Sequence, residues 1–307
     1  MLNRYKKYNW SKKDICRKWD ISPQRFYSIA ILNNREDERE KKINPNKITE
    51  KEKQTVIDYA LSHTQYNHRE LSYRMIDEDV AYMSSSSVYR ILRDNNLMFM
   101  KGKLSRADKW DPHEKLSKPD EVWQTDLMNI SYKGRDYYFF SYIDVFSRYT
   151  TYYELLASMT GDTIKNATEE AFIKTGKKPK SIQSDNGSCY ISQEYKSCIS
   201  KFRIESRYIH PHCPNENAEI ERYHRTLREL LEPNDAENFD ALHKLIKEQV
   251  YYYNHERYHS AIAFITPYDK YTGKAEMIFS ERTKKLQRAK EKRLKENLNL
   301  YRNQKAA

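Results

Sequence analysis

The 307 residues carry 55 Lys and Arg against 44 Asp and Glu, a net charge of +11, with 38% hydrophobic and 13% aromatic side chains. That is enough chain for two or three domains with ordinary cores. The sequence has no apolar leader segment and no uninterrupted apolar run of about 18 residues, so neither a signal peptide nor a membrane span is expected. Four scattered cysteines (Cys16, Cys189, Cys198, Cys213) form no CxxC pair, which favours reduced thiols in a cytoplasmic protein over a disulfide scaffold.

The charge is unevenly spread. Residues 1–50 carry 13 Lys and Arg against 7 Asp and Glu, residues 280–307 carry 10 against 3, and residues 121–279 carry 20 against 23. Basic ends fit a polyanionic partner, since each neutralised phosphate releases counterions. An acidic middle suits a domain that keeps carboxylates for another purpose, such as metal binding.

In chain order, residues 1–48 read as a helix-turn-helix. Ser11 can cap a helix through about Lys18, "WDIS" is a turn, and Ser22 caps a second helix with Pro23 at its first position. Ile15, Trp19, Ile21 and Phe26 are spaced to pack the pair, and Gln24, Arg25 and Tyr27 sit early on the second helix, where a DNA reader presents its contacts. A small helical hairpin without DNA contacts is the plain alternative. Residues 49–97 repeat the theme. Thr49 and Glu52 spell a capping box that opens a helix through about Leu61. "MSSSSVYRILRDNNL" then combines a serine cap and buried-type Val88, Ile91, Leu92 and Leu97 with outward Ser86, Tyr89, Arg90 and Arg93, groups suited to phosphate contacts. Residues 98–119 lack periodicity and read as an extended basic linker.

From residue 120 the texture changes. "EVWQTDLMNI" and "RDYYFFSYIDVFSRYTTYYELL" are aromatic and β-branched runs joined by "SYKGRD", whose Lys-Gly predicts a hairpin turn. A helix from Thr160 to Thr175, the strand "SIQSD", the helix "SQEYKSCISKF", the strand "ESRYIH" and a helix from about Asn215 follow. This order predicts an α/β domain with a mixed five-stranded sheet over 120–233. Residues 234–279 are mostly helical, with Leu242, Leu245, Ile246, Val250 and Tyr253 on one face. The tail, 280–307, reads as a charged helix or a basic arm.

Three acids stand out. Asp126 ends the run "VWQTD", and Asp185 follows the fourth strand at a Gly-containing turn; both positions are at strand ends, where such sheets bind ligands. On the helix from Asn215, Glu219 and Glu221 lie about 200° apart. The stripe Ile220, Tyr223, Leu227 puts Glu221 beside the packed face and gives it a slight edge over Glu219. Glu216 needs nothing beyond the helix dipole. Three clustered carboxylates suit Mg²⁺ or Mn²⁺, and two such ions suit in-line phosphoryl transfer. Each acid also has a plain explanation: turn formation for the aspartates, and an i,i+4 pair with Arg225 for Glu221. His210, His212 and Cys213 lack a fourth ligand at a useful spacing for zinc.

These motifs resemble the DDE integrase/transposase superfamily, in particular IS3-like insertion-sequence transposases. "VWQTDLMNI", "YIDVFSRY", "QSDNGSCY", "PNENAEIERYHRTLREL" and "YYNHERYHSAIAFITPYDKY" match in kind, and 35 residues separate Asp185 from Glu221. The resemblance spans about 49–272. It implies an RNase H-like catalytic core preceded by all-α helix-turn-helix domains, with Asp126, Asp185 and Glu221 as the catalytic, metal-binding triad. It also implies Mg²⁺-dependent cleavage of double-stranded DNA at element ends, 3′-OH attack on target DNA, self-association in a synaptic complex and a nucleoid-associated location. Arg222, Arg225 and Arg228 become candidate phosphate contacts. Ala218 stands where relatives often carry Gly, and Tyr258 where Pro is common, so the approach of DNA to the helix differs. A helix-turn-helix protein without catalysis, or an RNase H-like nuclease without strand transfer, are the competing functions.

Overall fold

A computed structural model describes residues 11, 13, 16–17, 21–27, 46–98, 116–210 and 214–306. Its contacts separate into two compact units, Met1–Gln54 with Gln287–Ala307, and Thr55–Leu286.

In the first unit, residues 23–27 are helical and the Arg25 amide donates to the Ser22 hydroxyl, the cap expected there. Most of the expected first helix, including Ile15 and Trp19, lies outside the described residues. Helix α1 (Glu50–Ser62) opens with the expected capping box: the Glu52 amide donates to the Thr49 hydroxyl and the Thr49 amide to the Glu52 carboxylate. In the same unit the Arg293 guanidinium donates to Glu52 at 2.7 Å.

The second unit takes in the rest of α1 from Thr55, then α2 (His68–Asp77) and α3 (Ser85–Asp94), capped by Asn67 and Ser84. Leu71, Met75, Ile76, Val88, Ile91 and Leu92 are buried, because the two apolar stripes face inward.

The α/β domain follows. Strands β1 (Val122–Tyr132), β2 (Arg135–Asp144) and β3 (Thr150–Leu156) form an antiparallel meander. Lys133 and Gly134, both at positive φ (46° and 78°), make the β1–β2 turn whose twist suits a hairpin. Helix α4 (Gly161–Thr175) is capped by Thr160 and stopped by Gly176 in the left-handed region. Then come β4 (Ser181–Ser184), α5 (Ser188–Ile191), α6 (Gln193–Lys201) and β5 (Glu205–Tyr208). The sheet order is β3-β2-β1-β4-β5, with β4 parallel to both its neighbours.

A 3₁₀ turn, Pro214–Asn217, leads into α7 (Ala218–Leu230), followed by α8 (Phe239–His255), α9 (Pro267–Tyr271) and α10 (Ala275–Ala306). One sheet face packs Trp123, Phe140, Tyr142 and Ile182 against α4–α6; the other packs Met128, Ile130, Phe139 and Ile143 against α7 and α8. The result is a mixed five-stranded sheet between helical layers, the RNase H-like order expected.

One reading is corrected. Asp126 lies mid-strand, paired with Ser141, because β1 continues to Tyr132 as one arm of a long hairpin. The tail is helical, one of the two forms expected of it, and its helix starts at Ala275. The α2–α3 module and the α/β domain both belong to the compact unit Thr55–Leu286. Asp77 at the end of α2 accepts from Arg282 at 2.8 and 2.6 Å and from the Tyr258 hydroxyl at 2.7 Å. Of the expected linker, residues 99–115 lie outside the described residues. No described helix is long and apolar enough to cross a membrane.

Candidate functional site

The parallel ladder between β1 and β4 covers only Val122–Gln124 against Ser181–Gln183. Asp126 therefore sits just past the end of the β4 pairing, and Asp185 immediately follows β4. The two aspartates share the end of the parallel ladder, where an open sheet leaves a crevice. Asp126 accepts through Oδ1 from the Leu127 amide at 2.8 Å. Asp185 accepts from the Gly187 amide at 2.9 Å, and a Cβ on Gly187 would lie 2.9 Å from that same oxygen. A side chain at Gly187 would therefore push the Asp185 carboxylate from its place.

Helix α7 brings the glutamates. Ile220, Tyr223 and Leu227 are fully buried, so the stripe read in the sequence fixes the helix rotation. Glu219 turns toward Arg148, 3.1 Å away, and also accepts from Gln124 at 3.4 Å. Glu221 turns the other way, is exposed, and forms no ion pair with any described residue. The side chains of Gln124 and Gln183 both donate to the Glu216 carbonyl, at 2.8 and 3.0 Å, and the Ile220 amide donates back to Gln124. Two strand glutamines thereby pin the start of α7 to β1 and β4. The Glu216 carboxylate accepts from the His210 amide and ring, a partner beyond the helix dipole. His212 and Cys213 lie outside the described residues.

His224 completes the connection. It is 2% exposed, its Nε2 lies 3.1 Å from the Ser141 hydroxyl, and its Nδ1 lies 3.3 Å from Asp126 Oδ2. A carboxylate oxygen only accepts, so Nδ1 carries the proton in this contact. One side chain of the glutamate helix thus orients the first aspartate.

An open cleft of about 410 Å³ is lined by Asp126, Ala218, Glu221, Arg222, His224, Arg225 and Arg228. Asp185 is not among its walls, yet its carboxyl senses Asp126. Burial and, more weakly, the Asp126 charge push Asp185 above the ordinary aspartate range, while the Gly187 amide opposes them. Glu221 is raised by partial burial and by the Asp126 charge, with Arg225 pulling back. Two acids raised by the charge of a third mark a site short of positive charge. Their oxygens are the donors a hard divalent cation takes. Among the described residues no three His, Cys, Asp or Glu side chains already form a cage.

None of Arg222, Arg225 and Arg228 forms an ion pair with a described residue, and all three are exposed. Ser86, Tyr89, Arg90 and Arg93 share the exposed face of α3, where Arg93 pairs with its neighbour Asp94. Gln24, Arg25 and Tyr27 are exposed in the other unit. Sequence reading passed over His224, Gln124, Gln183 and Arg148. A signal existed for two of them: His224 falls beside the Ile220–Tyr223–Leu227 stripe, and Gln124 interrupts an apolar strand.

The Integrase core domain family matches residues 117–214, and a second family of the same description matches residues 202–267. The transposase for insertion sequence element IS904 of Lactococcus lactis subsp. lactis (strain IL1403) is 30% identical over 171 residues, covering 54% of this chain and 67% of that protein. The InsK protein of insertion sequence element IS150 from Escherichia coli (strain K12) is 25% identical, covering 50% of this chain and 55% of that protein. The chain thus spans two thirds of one curated relative and about half of the other. Among solved structures, the HTLV-2 integrase catalytic core domain in complex with magnesium aligns with a TM-score of 0.43 at 22% identity, over 50% of this chain and 97% of that one. A simian T-cell lymphotropic virus intasome chain aligns with a TM-score of 0.45 at 18% identity, over 71% and 74%.

Proposed function

We propose that this chain, which belongs to the IS3-type transposases of the transposase/integrase family, cuts DNA at the ends of its element and joins those ends to target DNA. The observation that carries the reading is the cleft in which Asp126 and Glu221 face three exposed arginines, none of them ion-paired among the described residues, beside Asp185. Acids for a cation and guanidiniums for a phosphate backbone stand side by side.

In the first step a water oxygen forms a bond to phosphorus and the P–O3′ bond breaks, leaving a 3′-OH on the element and a 5′-phosphate on the flank. In the second, that 3′-OH forms the new bond to a target phosphorus, and a target 3′-oxygen leaves. Mg²⁺ or Mn²⁺, as two ions, would neutralise charge at the attacking and leaving oxygens. Asp126, Asp185 and Glu221 would hold them. His224 fixes the Asp126 carboxylate, and the glutamine pair keeps α7 against the strand ends. Arg222, Arg225 and Arg228 bind backbone phosphates. Ser86, Tyr89, Arg90 and Arg93 on α3, and Gln24, Arg25 and Tyr27 nearer the N-terminus, hold the element's end DNA. The active form is a multimer that pairs two ends.

Incubation with Mg²⁺ and a labelled duplex taken from the DNA flanking the gene tests this reading. Nicked strands and strands joined to a second duplex are expected. Absence of nicking overturns the proposal, and nicking without joined products removes its second step.

A further inference from the structure

Residues 256–266 form a hook whose backbone is strained. Ala263 and Phe264 both lie in the left-handed region (φ 60° and 56°), which side chains of this kind rarely adopt. The hook is held closed. Arg282 donates to the Ala263 and Phe264 carbonyls at 3.2 and 2.7 Å, and the His259 amide donates to the Ile265 carbonyl at 3.1 Å. What the hook fixes is His259, 8% exposed, whose Nε2 lies 2.9 Å from an Arg257 guanidinium nitrogen. An arginine only donates, so the imidazole accepts and is uncharged in this contact. Burial, and then the charges of Arg257, Arg148 and Arg222, pull the His259 ring down to about 3. The Arg257 guanidinium also lies 5.9 Å from the Tyr253 ring centre.

A second strained residue faces the same place. Arg148 sits at φ 67°, in a turn where its amide donates to the Asp144 carbonyl and the Ser147 amide donates to the buried Asp144 carboxylate. Its guanidinium takes Glu219 as its partner. The charges felt at Tyr253 are those of Arg257, Arg148 and Arg222, opposed by Glu219. Neither Arg222 nor Arg257 forms an ion pair with a described residue. Among the described residues only Arg148 of the three has a carboxylate partner, and Arg257 is half-buried and aimed by a neutral ring. A partly desolvated cation held in place without a counter-ion is a receptor for an anion. Arg222 also lines the catalytic cleft, so this receptor adjoins it.

We propose that Arg148, Arg222 and Arg257 form a backbone-phosphate receptor that grips one strand of bound DNA beside the catalytic cleft, with His259 as the residue that aims Arg257. This rests on the DNA-joining reading above and adds a site to it. The forked guanidinium geometry suits a phosphodiester, and the grip is indifferent to base sequence.

The test measures binding of the full chain to a fluorescein-labelled mixed-sequence duplex by anisotropy over a series of KCl concentrations, without divalent metal. For Arg257→Gln the dependence of log affinity on log salt becomes shallower by about one, with the loss equal across duplex sequences. Arg222→Gln, at an exposed position free of folding constraints, gives the same change. Arg257→Lys keeps the wild-type slope with weaker binding, since charge remains and the fork is lost. His259→Leu weakens binding at a wild-type slope, because the charge stays but loses its aim; a fall in melting temperature with unchanged binding would make His259 merely structural. Wild-type slopes in both Arg257→Gln and Arg222→Gln overturn the receptor. A wild-type chain that binds no DNA instead removes the reading it rests on.

Discussion

The two sides of α7 carry the same residue type under opposite conditions. Glu219 is closed in by Arg148 and Gln124, at 18% side-chain exposure. Glu221, two residues on, lies open in the cleft, without an ion pair among the described residues, and is held above its ordinary pKa by partial burial and the Asp126 charge. Where a carboxylate is met by a guanidinium it contributes to the fold; where it is met by another carboxylate it is kept for something that arrives later. The contrast separates the structural glutamate from the functional one by electrostatics.

The largest expected effect breaks the open side. Glu221→Gln, Asp126→Asn and Asp185→Asn each lower the nicking rate about a thousandfold or more, since a cation at such a site supplies several kcal/mol to the transition state; gel assays of single-turnover nicking read this directly. Next comes the residue that ties α7 to the first aspartate. His224→Ala weakens Mn²⁺ binding about 10- to 100-fold, the usual cost of removing a group that orients a ligand. His224→Asn retains most of it, because its amide can replace the Nδ1 donor. Calorimetric titration distinguishes the two, and equal affinity in all three proteins would sink the orienting role.

The closed side predicts a change in stability rather than chemistry. Glu219→Gln leaves Arg148 half-buried without its partner and lowers stability by about 1–3 kcal/mol, read as a lower urea midpoint at unchanged slope. The smallest effect has the opposite sign. A carboxyl whose folded pKa is raised stabilises the fold below its unfolded pKa, and that contribution is lost as pH rises through the folded pKa. At neutral pH the Glu221 and Asp185 charges therefore work against folding. Glu221→Gln should raise the melting temperature slightly at neutral pH, and the gain should vanish once the pH falls below the ordinary glutamate range. A drop at neutral pH would contradict the picture of an uncompensated acid.

Much of the fold was legible because its signals are local. Thr49 with Glu52, Thr160 and the Lys-Gly turn each satisfy or redirect backbone within a few residues, and each appears where the sequence placed it. The stripe Ile220–Tyr223–Leu227 was equally local and set which way the glutamates point. What escaped depends on distant partners. The Arg148–Glu219 pair requires a turn in the left-handed region remote from α7 in sequence, and the Gln124–Glu216 and His224–Asp126 contacts join strand to helix across the domain. Asp126 was misplaced to a strand end because an acid inside an apolar run looks like a stop. The β2 pairing carries β1 onward past it, and only the short β4 ends there. The union of the α2–α3 module with the α/β domain through Asp77, Tyr258 and Arg282 left no periodic trace at all.

The most direct test compares the two glutamates in one assay: nicking of a labelled element-end duplex with Mg²⁺ by wild type, Glu221→Gln and Glu219→Gln, each corrected for folded fraction. The account predicts that Glu221→Gln is silent while Glu219→Gln cuts at a rate near that of wild type. A silent Glu219→Gln beside an active Glu221→Gln would contradict it.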